Sequence, residues 1–162
     1  MRYEPTKHFE DESRQTRIIG DLDTSDWWWN LHRSLPEGHF VIPLIFASDA
    51  TFLTNFCGDK DIDPINFTVA NIHPKIRNCP NRQAWRCLGI FPEPGEIMQQ
   101  VLQDMLFELP DLWNDGIKLT CPDGKIRFGH LILAAWIADY VEYNKLFTQV
   151  YGSCTICTTP TD

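Results

Sequence analysis

Apolar and polar residues fall in blocks along this chain, and the period of the blocks changes once. Residues 1–23 are polar and charged with little periodicity, which reads as an N-terminal arm. Thr24, Ser25 and Asp26 offer capping side chains to a short helix carrying Trp27, Trp28, Trp29 and Leu31, which Pro36-Glu37-Gly38 ends. Residues 40–48 (FVIPLIFAS) form an apolar, β-branched run that predicts a buried strand. Pro43 has no N–H to give to a ladder, so it is expected at the start of that strand or on an edge. Residues 51–64 are polar, with Gly58-Asp59 as a turn signal. Residues 65–72 read as a second strand, 73–86 as a loop or short helix, and 87–91 as a third strand closed by Pro92-Glu93-Pro94-Gly95.

From Glu96 the period lengthens. Ile97, Val101, Leu102, Met105, Leu106 and Leu109 line one face of an amphipathic helix, which Pro110 ends or kinks. Residues 117–120 and 125–128 flank Cys121-Pro122-Asp123-Gly124, a hairpin signal with a loop longer than two residues. Residues 131–138 (LILAAWIA) read as strand or buried helix, and periodicity does not decide between them. Residues 141–150 read as helical. Strands, then a long helix, then more strand predict an α/β (α+β) fold with a mixed sheet. The expected organisation is the arm at 1–23, one domain at 24–150 and a cysteine-bearing segment at 151–162.

Composition narrows the class. With 162 residues, 43% hydrophobic and 22% charged, the chain matches one globular domain and excludes a disordered tail, a collagen-like fibre and a coiled coil. The net charge of −8 excludes a bulk polycation, so contact with nucleic acid would need a local basic patch. The longest apolar run, 131–138, is far short of the roughly 20 residues that span a bilayer. The charged first residues lack the apolar core of a signal peptide. The expectation is no membrane partner, a nuclear or cytoplasmic location and reduced thiols.

Two aspartates share one pattern, each directly after an apolar run: Ile45-Phe46-Ala47-Ser48-Asp49 and Trp136-Ile137-Ala138-Asp139. A strand pinned in a core fixes its last residue at the sheet rim. Two such rims side by side would hold two carboxylates close together, and a divalent cation relieves their repulsion. Hard oxygen ligands suit Mg²⁺ or Mn²⁺, which serve phosphoryl transfer. The alternative is that each Asp caps the helix or turn that follows.

Cys154 and Cys157 have the spacing of half a zinc site; His73, Cys121 and His130 are far away in sequence and show no matching ligand spacing. Two unligated loop thiols are the other reading. Trp27, Trp28 and Trp29 cannot all face one way on a helix, so they divide between core and surface, with base stacking as the rival role. Lys75, Arg77, Arg82 and Arg86 make the one basic stretch, read as a solvated loop rather than a phosphate contact. His32, His39, His73 and His130 are expected to be structural. The sequence has no phosphate-binding glycine loop, no dinucleotide fingerprint and no nucleophile-elbow or zincin motif.

Several segments together resemble a known family. They are Asp26-Trp27-Trp28-Trp29, residues 41–49 (VIPLIFASD), residues 53–60 (LTNFCGDK), Val69-Ala70-Asn71-Ile72, Leu88-Gly89-Ile90-Phe91-Pro92, residues 119–127 (LTCPDGKIR), residues 132–140 (ILAAWIADY) and Cys154-x-x-Cys157. In order and spacing they are similar to the Plavaka-type transposases of fungal DNA transposons, in the Kyakuja–Dileera–Zisupton group. The likeness runs from about residue 17 to 157. It implies a ribonuclease-H-like core, of which this chain would hold a part, with a D-D-E acidic triad. By position Asp49 is the first acid and Asp139 the second, with Mg²⁺ (or Mn²⁺) as cofactor and transposon-end DNA as partner in an intact parent. The cysteine pair fits a Cys-rich motif after the second acid, which makes Zn²⁺ a further expected ligand.

The chain departs from the family pattern at Ala50, where a Lys often stands, at Cys57, where a Ser is usual, and at Val141-Glu142-Tyr143, where Pro-Glu-Gln usually follows. Glu142 is only three residues past Asp139, too close for the downstream Glu. The expected function is therefore a transposase-derived fragment whose parent activity is metal-dependent DNA cleavage and strand transfer, inactive alone for want of the third acid. The alternatives are a non-catalytic domesticated module that binds a protein partner or itself, and a pseudogene product.

Overall fold

The computed structural model describes residues 1–52, 61–91, 97–149 and 154. In chain order it opens with β1 (His8–Phe9) and β2 (Arg17–Ile18), paired antiparallel, and a 3-10 turn at Leu22–Thr24. Helix α1 (Asp26–Arg33) follows, then β3 (His39–Ser48), β4 (Thr51–Phe52), β5 (Asp61–Val69), α2 (Pro74–Arg77) and β6 (Arg86–Phe91). The chain continues through α3 (Ile97–Leu106), α4 (Leu109–Asn114), β7 (Ile117–Thr120), β8 (Ile126–Ile137) and α5 (Tyr140–Leu146). The six-stranded sheet has the order β4-β5-β3-β8-β7, with β6 on β5. This mixed α/β architecture is compatible with a partial ribonuclease-H-like core.

The residues fall into two compact units, the first made of Met1–Ile45, Thr68–Trp85 and Glu108–Ala134, the second of Phe46–Phe67, Arg86–Phe107 and Ala135–Asp162. Strands β3, β5 and β8 each contribute to both.

In the first unit α1 starts where the sequence places it. Ser25 Oγ accepts the Trp28 N–H at 3.2 Å. Asp26 in the first turn and Arg33 in the last complement the helix dipole. Successive helical residues point about 100° apart, so the three indoles divide: Trp28 is 0% exposed and Trp27 36%. The polar residues before α1 are tied down. Asn71 is fully buried, and its side-chain amide donates to Val41 O at 2.9 Å and to Arg2 O at 2.8 Å. Arg2 N–H returns a bond to Asn71 O at 2.8 Å. Tyr3 meets Phe40 edge-on at 5.2 Å, and Arg127 lies over the Tyr3 ring at 4.2 Å.

Some local expectations change. Pro43 lies inside β3, which has a neighbour on each side, not at its start or on an edge. It lacks a donor but keeps its acceptor, and Ala70 N–H donates to Pro43 O at 2.9 Å. Pro110 neither ends nor kinks α3. That helix stops at Leu106, and Pro110 sits in the first turn of α4, where a missing N–H costs nothing. Residues 131–137 resolve as strand, because they continue β8 out of the hairpin, and Ala138 lies just beyond its end. The hairpin itself pairs Ile117 with Gly129 and Thr120 with Ile126.

Arg77 is not in a solvated loop. It is buried, and its guanidinium bonds both Asp21 oxygens, at 2.7 and 3.2 Å, and Ile72 O at 3.2 Å. Burial alone would raise the Asp21 carboxyl, but the Arg77 bonds hold it below its ordinary value. Lys75, Arg82 and Arg86 are exposed.

The core of the second unit joins Ile65, Phe91, Met98 and Leu146, with Val101, Leu102, Met105, Trp136 and Tyr143 packed against it. Val101, Leu102 and Met105 are on the face the sequence shows, but Ile97 is 63% exposed and Met98, one residue on, takes the buried position in its place. Gln99 Nε2 on α3 donates to Leu146 O at 2.8 Å, satisfying a carbonyl in the last turn of α5.

Candidate functional site

The two aspartates stand where the strands predict. Asp49 directly follows the last residue of β3, and Asp139 comes two residues after β8 ends. The strands are neighbours in the sheet. Their ends are bonded: Trp136 Nε1 donates to Ser48 Oγ at 3.0 Å. Both strands therefore finish at one rim, and both aspartates are exposed there.

Asp139 has a second occupation, and it is the one the capping alternative foresees. It is the N-cap of α5, and its Oδ1 accepts the Glu142 N–H at 2.7 Å. A carboxylate has about four lone-pair positions, so capping leaves capacity for a cation. Asp49 caps no helix; its backbone oxygen faces the Thr51 hydroxyl at 3.5 Å.

Behind the rim lies a polar cluster that sequence reasoning missed. Glu142 is 2% exposed. Its Oε1 accepts from Ser48 Oγ at 2.8 Å and its Oε2 from Lys145 Nζ at 3.2 Å. Lys145 Nζ also lies 3.6 Å from Asp63 on β5. Burial, followed by the negative charge of Glu142, pushes the Asp63 carboxyl up to about 6, against the pull of Lys145. Asp63 Oδ1 is buried without a hydrogen-bond partner, which a proton on that carboxyl would relieve. Glu142 looks in sequence like a misplaced third acid; here its oxygens are turned inward and engaged. The signal that could have found it is the spacing Asp139-x-x-Glu142, that of an N-cap residue and the N3 carboxylate of a capping box.

The other candidates scatter. Cys154 is exposed, while Cys157 lies outside the described residues, as does the Gly58-Asp59-Lys60 segment. Among the described residues no group of three or more His, Cys, Asp or Glu side chains is placed to hold a metal ion. His130 is buried; its Nδ1 lies 2.5 Å from Trp113 O and its Nε2 2.7 Å from His39 Nδ1. A carbonyl only accepts, so His130 carries its proton on Nδ1 and takes the His39 N–H on Nε2 when both rings are neutral. His73 caps α2 by accepting the Lys75 N–H at 3.2 Å. All three histidines are thus engaged in hydrogen bonds within the chain.

The sequence profile of the Plavaka transposase family matches residues 1–162. The chain belongs to that family. Searches of curated proteins and of solved structures find no significant match. As a Plavaka-family chain it is transposase-derived, from a class of transposable element. Intact transposases of this kind act on DNA and generally use a divalent metal. Among the described residues no helix is long and apolar enough to cross a membrane.

Proposed function

We propose that this Plavaka-family chain carries two metal-holding carboxylates of a transposase catalytic core, Asp49 and Asp139, for cleaving and rejoining DNA phosphodiesters. The observation that supports this reading is the shared rim: two exposed aspartates close neighbouring strands whose ends are bonded through Trp136 and Ser48. The donor set fits the group, because paired carboxylates are hard oxygen ligands for Mg²⁺ or Mn²⁺. Bound there, such ions would polarise a phosphodiester and ease deprotonation of the attacking water or 3′-hydroxyl. The chain's own part is to hold and orient. β3 fixes Asp49, and the cap bond to Glu142 N–H fixes the rotamer of Asp139.

The isolated chain is expected to bind Mn²⁺ weakly and to leave DNA uncut, since two carboxylates make an incomplete set. Cys154 and Cys157 would give half of a zinc tetrahedron. The test is a Mn²⁺ titration followed by electron paramagnetic resonance, with D49N and D139N beside the wild type. Asn keeps the cap of α5 but loses the charge, so D139N should retain stability and lose Mn²⁺. Unchanged binding in both variants would reject the metal reading. So would strong Mg²⁺-dependent nicking that survives D49N.

A second reading, an interaction module without catalysis, draws on Leu88 and Ile90, 46% and 59% exposed on β6. Its discriminating measurement is duplex-DNA binding at low salt. Tight binding with a steep salt slope would count against a protein partner.

A further inference from the structure

We infer that Glu142 is the positioning residue of the proposed metal site: it ties the strand end that carries Asp49 to the helix cap that is Asp139. The inference rests on the metal reading above, but its geometry stands independently. Four hydrogen bonds form one connected path. Glu142 N–H donates to Asp139 Oδ1 at 2.7 Å, and Glu142 Oε1 accepts from Ser48 Oγ at 2.8 Å. Ser48 Oγ accepts from Trp136 Nε1 at 3.0 Å, and Trp136 O accepts the Tyr143 hydroxyl at 2.5 Å.

Ser48 is the residue before Asp49, and Trp136 lies three residues before Asp139. One side chain therefore bonds the approach to the first aspartate, while its backbone bonds the second aspartate itself. Lys145 completes the hold by bonding the other Glu142 oxygen at 3.2 Å. Ser48 and Glu142 are both almost fully buried, so no water competes for these bonds. Two exposed carboxylates repel one another, and a rim without this brace would let them drift apart. Groups that orient metal ligands from behind are worth about 10–100-fold in metal affinity when removed.

The test uses the whole chain and two readouts: Mn²⁺ affinity, and hydrogen exchange at the amides of Ala47, Ser48, Asp49 and Glu142. In E142Q the amide oxygen still accepts from Ser48 but the NH2 group gives up the Lys145 bond, so both readouts should move less than in E142A. E142A should weaken Mn²⁺ about 10-fold or more and speed exchange at the strand end and the helix start together. S48A, a milder cut of the same path, should move both readouts in the same direction and serves if E142A fails to fold.

If E142Q loses Mn²⁺ while exchange is unchanged, Glu142 is a ligand and the positioning role is wrong. If E142A or S48A exposes only the helix start, Glu142 is an ordinary helix contact and the role is again wrong. If the wild type shows no Mn²⁺ binding that depends on Asp49, the metal reading fails. The exchange data alone then decide whether Glu142 braces both segments.

Discussion

The Lys145 ammonium lies 3.6 Å from the Asp63 carboxylate and 3.2 Å from that of Glu142, one cation serving two acids. Burial and the Glu142 charge raise Asp63 from 3.8 to about 6. A carboxyl whose pKa is raised in the folded state favours folding while protonated. Its contribution is complete below 3.8 and is lost as pH rises through about 6. The wild-type stability minus that of D63N should therefore decline across that window. Asp21, whose carboxyl is held low, slopes the other way and cancels in the difference. Chemical denaturation at a series of pH values checks this, and a flat difference would refute it.

Asn71 predicts a cost at the opposite end of the chain's chemistry. N71A leaves Val41 O buried without its donor and frees Arg2 O, so stability should fall by about 1–3 kcal/mol. The first residues should also become susceptible to trypsin at Lys7. Urea melts and limited proteolysis read the two effects, and wild-type values in both would show that the amide bonds contribute nothing.

Gly116 and Gly124 separate backbone strain from crowding. Both have positive φ, +70° and +77°. A Cβ at Gly124 meets nothing within 4 Å, whereas one at Gly116 would come 2.9 Å from Cε1 of His130. G124A should cost about 1–2 kcal/mol for the left-handed conformation alone. G116A should cost more and disturb the His130 ring resonances. Equal costs with unchanged imidazole signals would refute the close packing.

The indole triplet gives the clearest contrast. W28A removes a fully buried side chain and should cost about 3–5 kcal/mol. W27A, on the surface, should stay within about 0.5 kcal/mol of wild type. A thermal melt of each is enough, and comparable losses would mean that Trp27 also packs inside.

Most strands and helices were legible because their periodicity is unmixed. Residues 40–48 and the α3 face carry one pattern each; β3 appears within a residue of the expected bounds, and α3 starts at Ile97 but stops at Leu106, short of the expected Leu109. Residues 131–138 were ambiguous because a strand that is partly covered along its length shows neither alternation nor a helical stripe. Pro43 misled because a missing donor is visible in sequence, whereas the acceptor bond from Ala70 that it keeps is not. Of the candidate site, the rim positions of Asp49 and Asp139 follow from where the apolar runs stop. The brace behind them does not, since Ser48 and Glu142 are 94 residues apart and their meeting depends on β3 and α5 packing in three dimensions. The basic stretch divided for a similar reason: Asp21, 56 residues away, claims Arg77.

The clamp between Asn71 and Arg2 has a practical consequence for handling the molecule. An affinity tag fused at Met1 starts one residue from a backbone bond that reaches the middle of the sheet, so its linker pulls on Val41 by way of a single amide. The tip between β1 and β2 is a better place for foreign atoms. Residues 11–16 are exposed throughout, and a fluorophore or short epitope carried there would report on the protein without touching what holds it together.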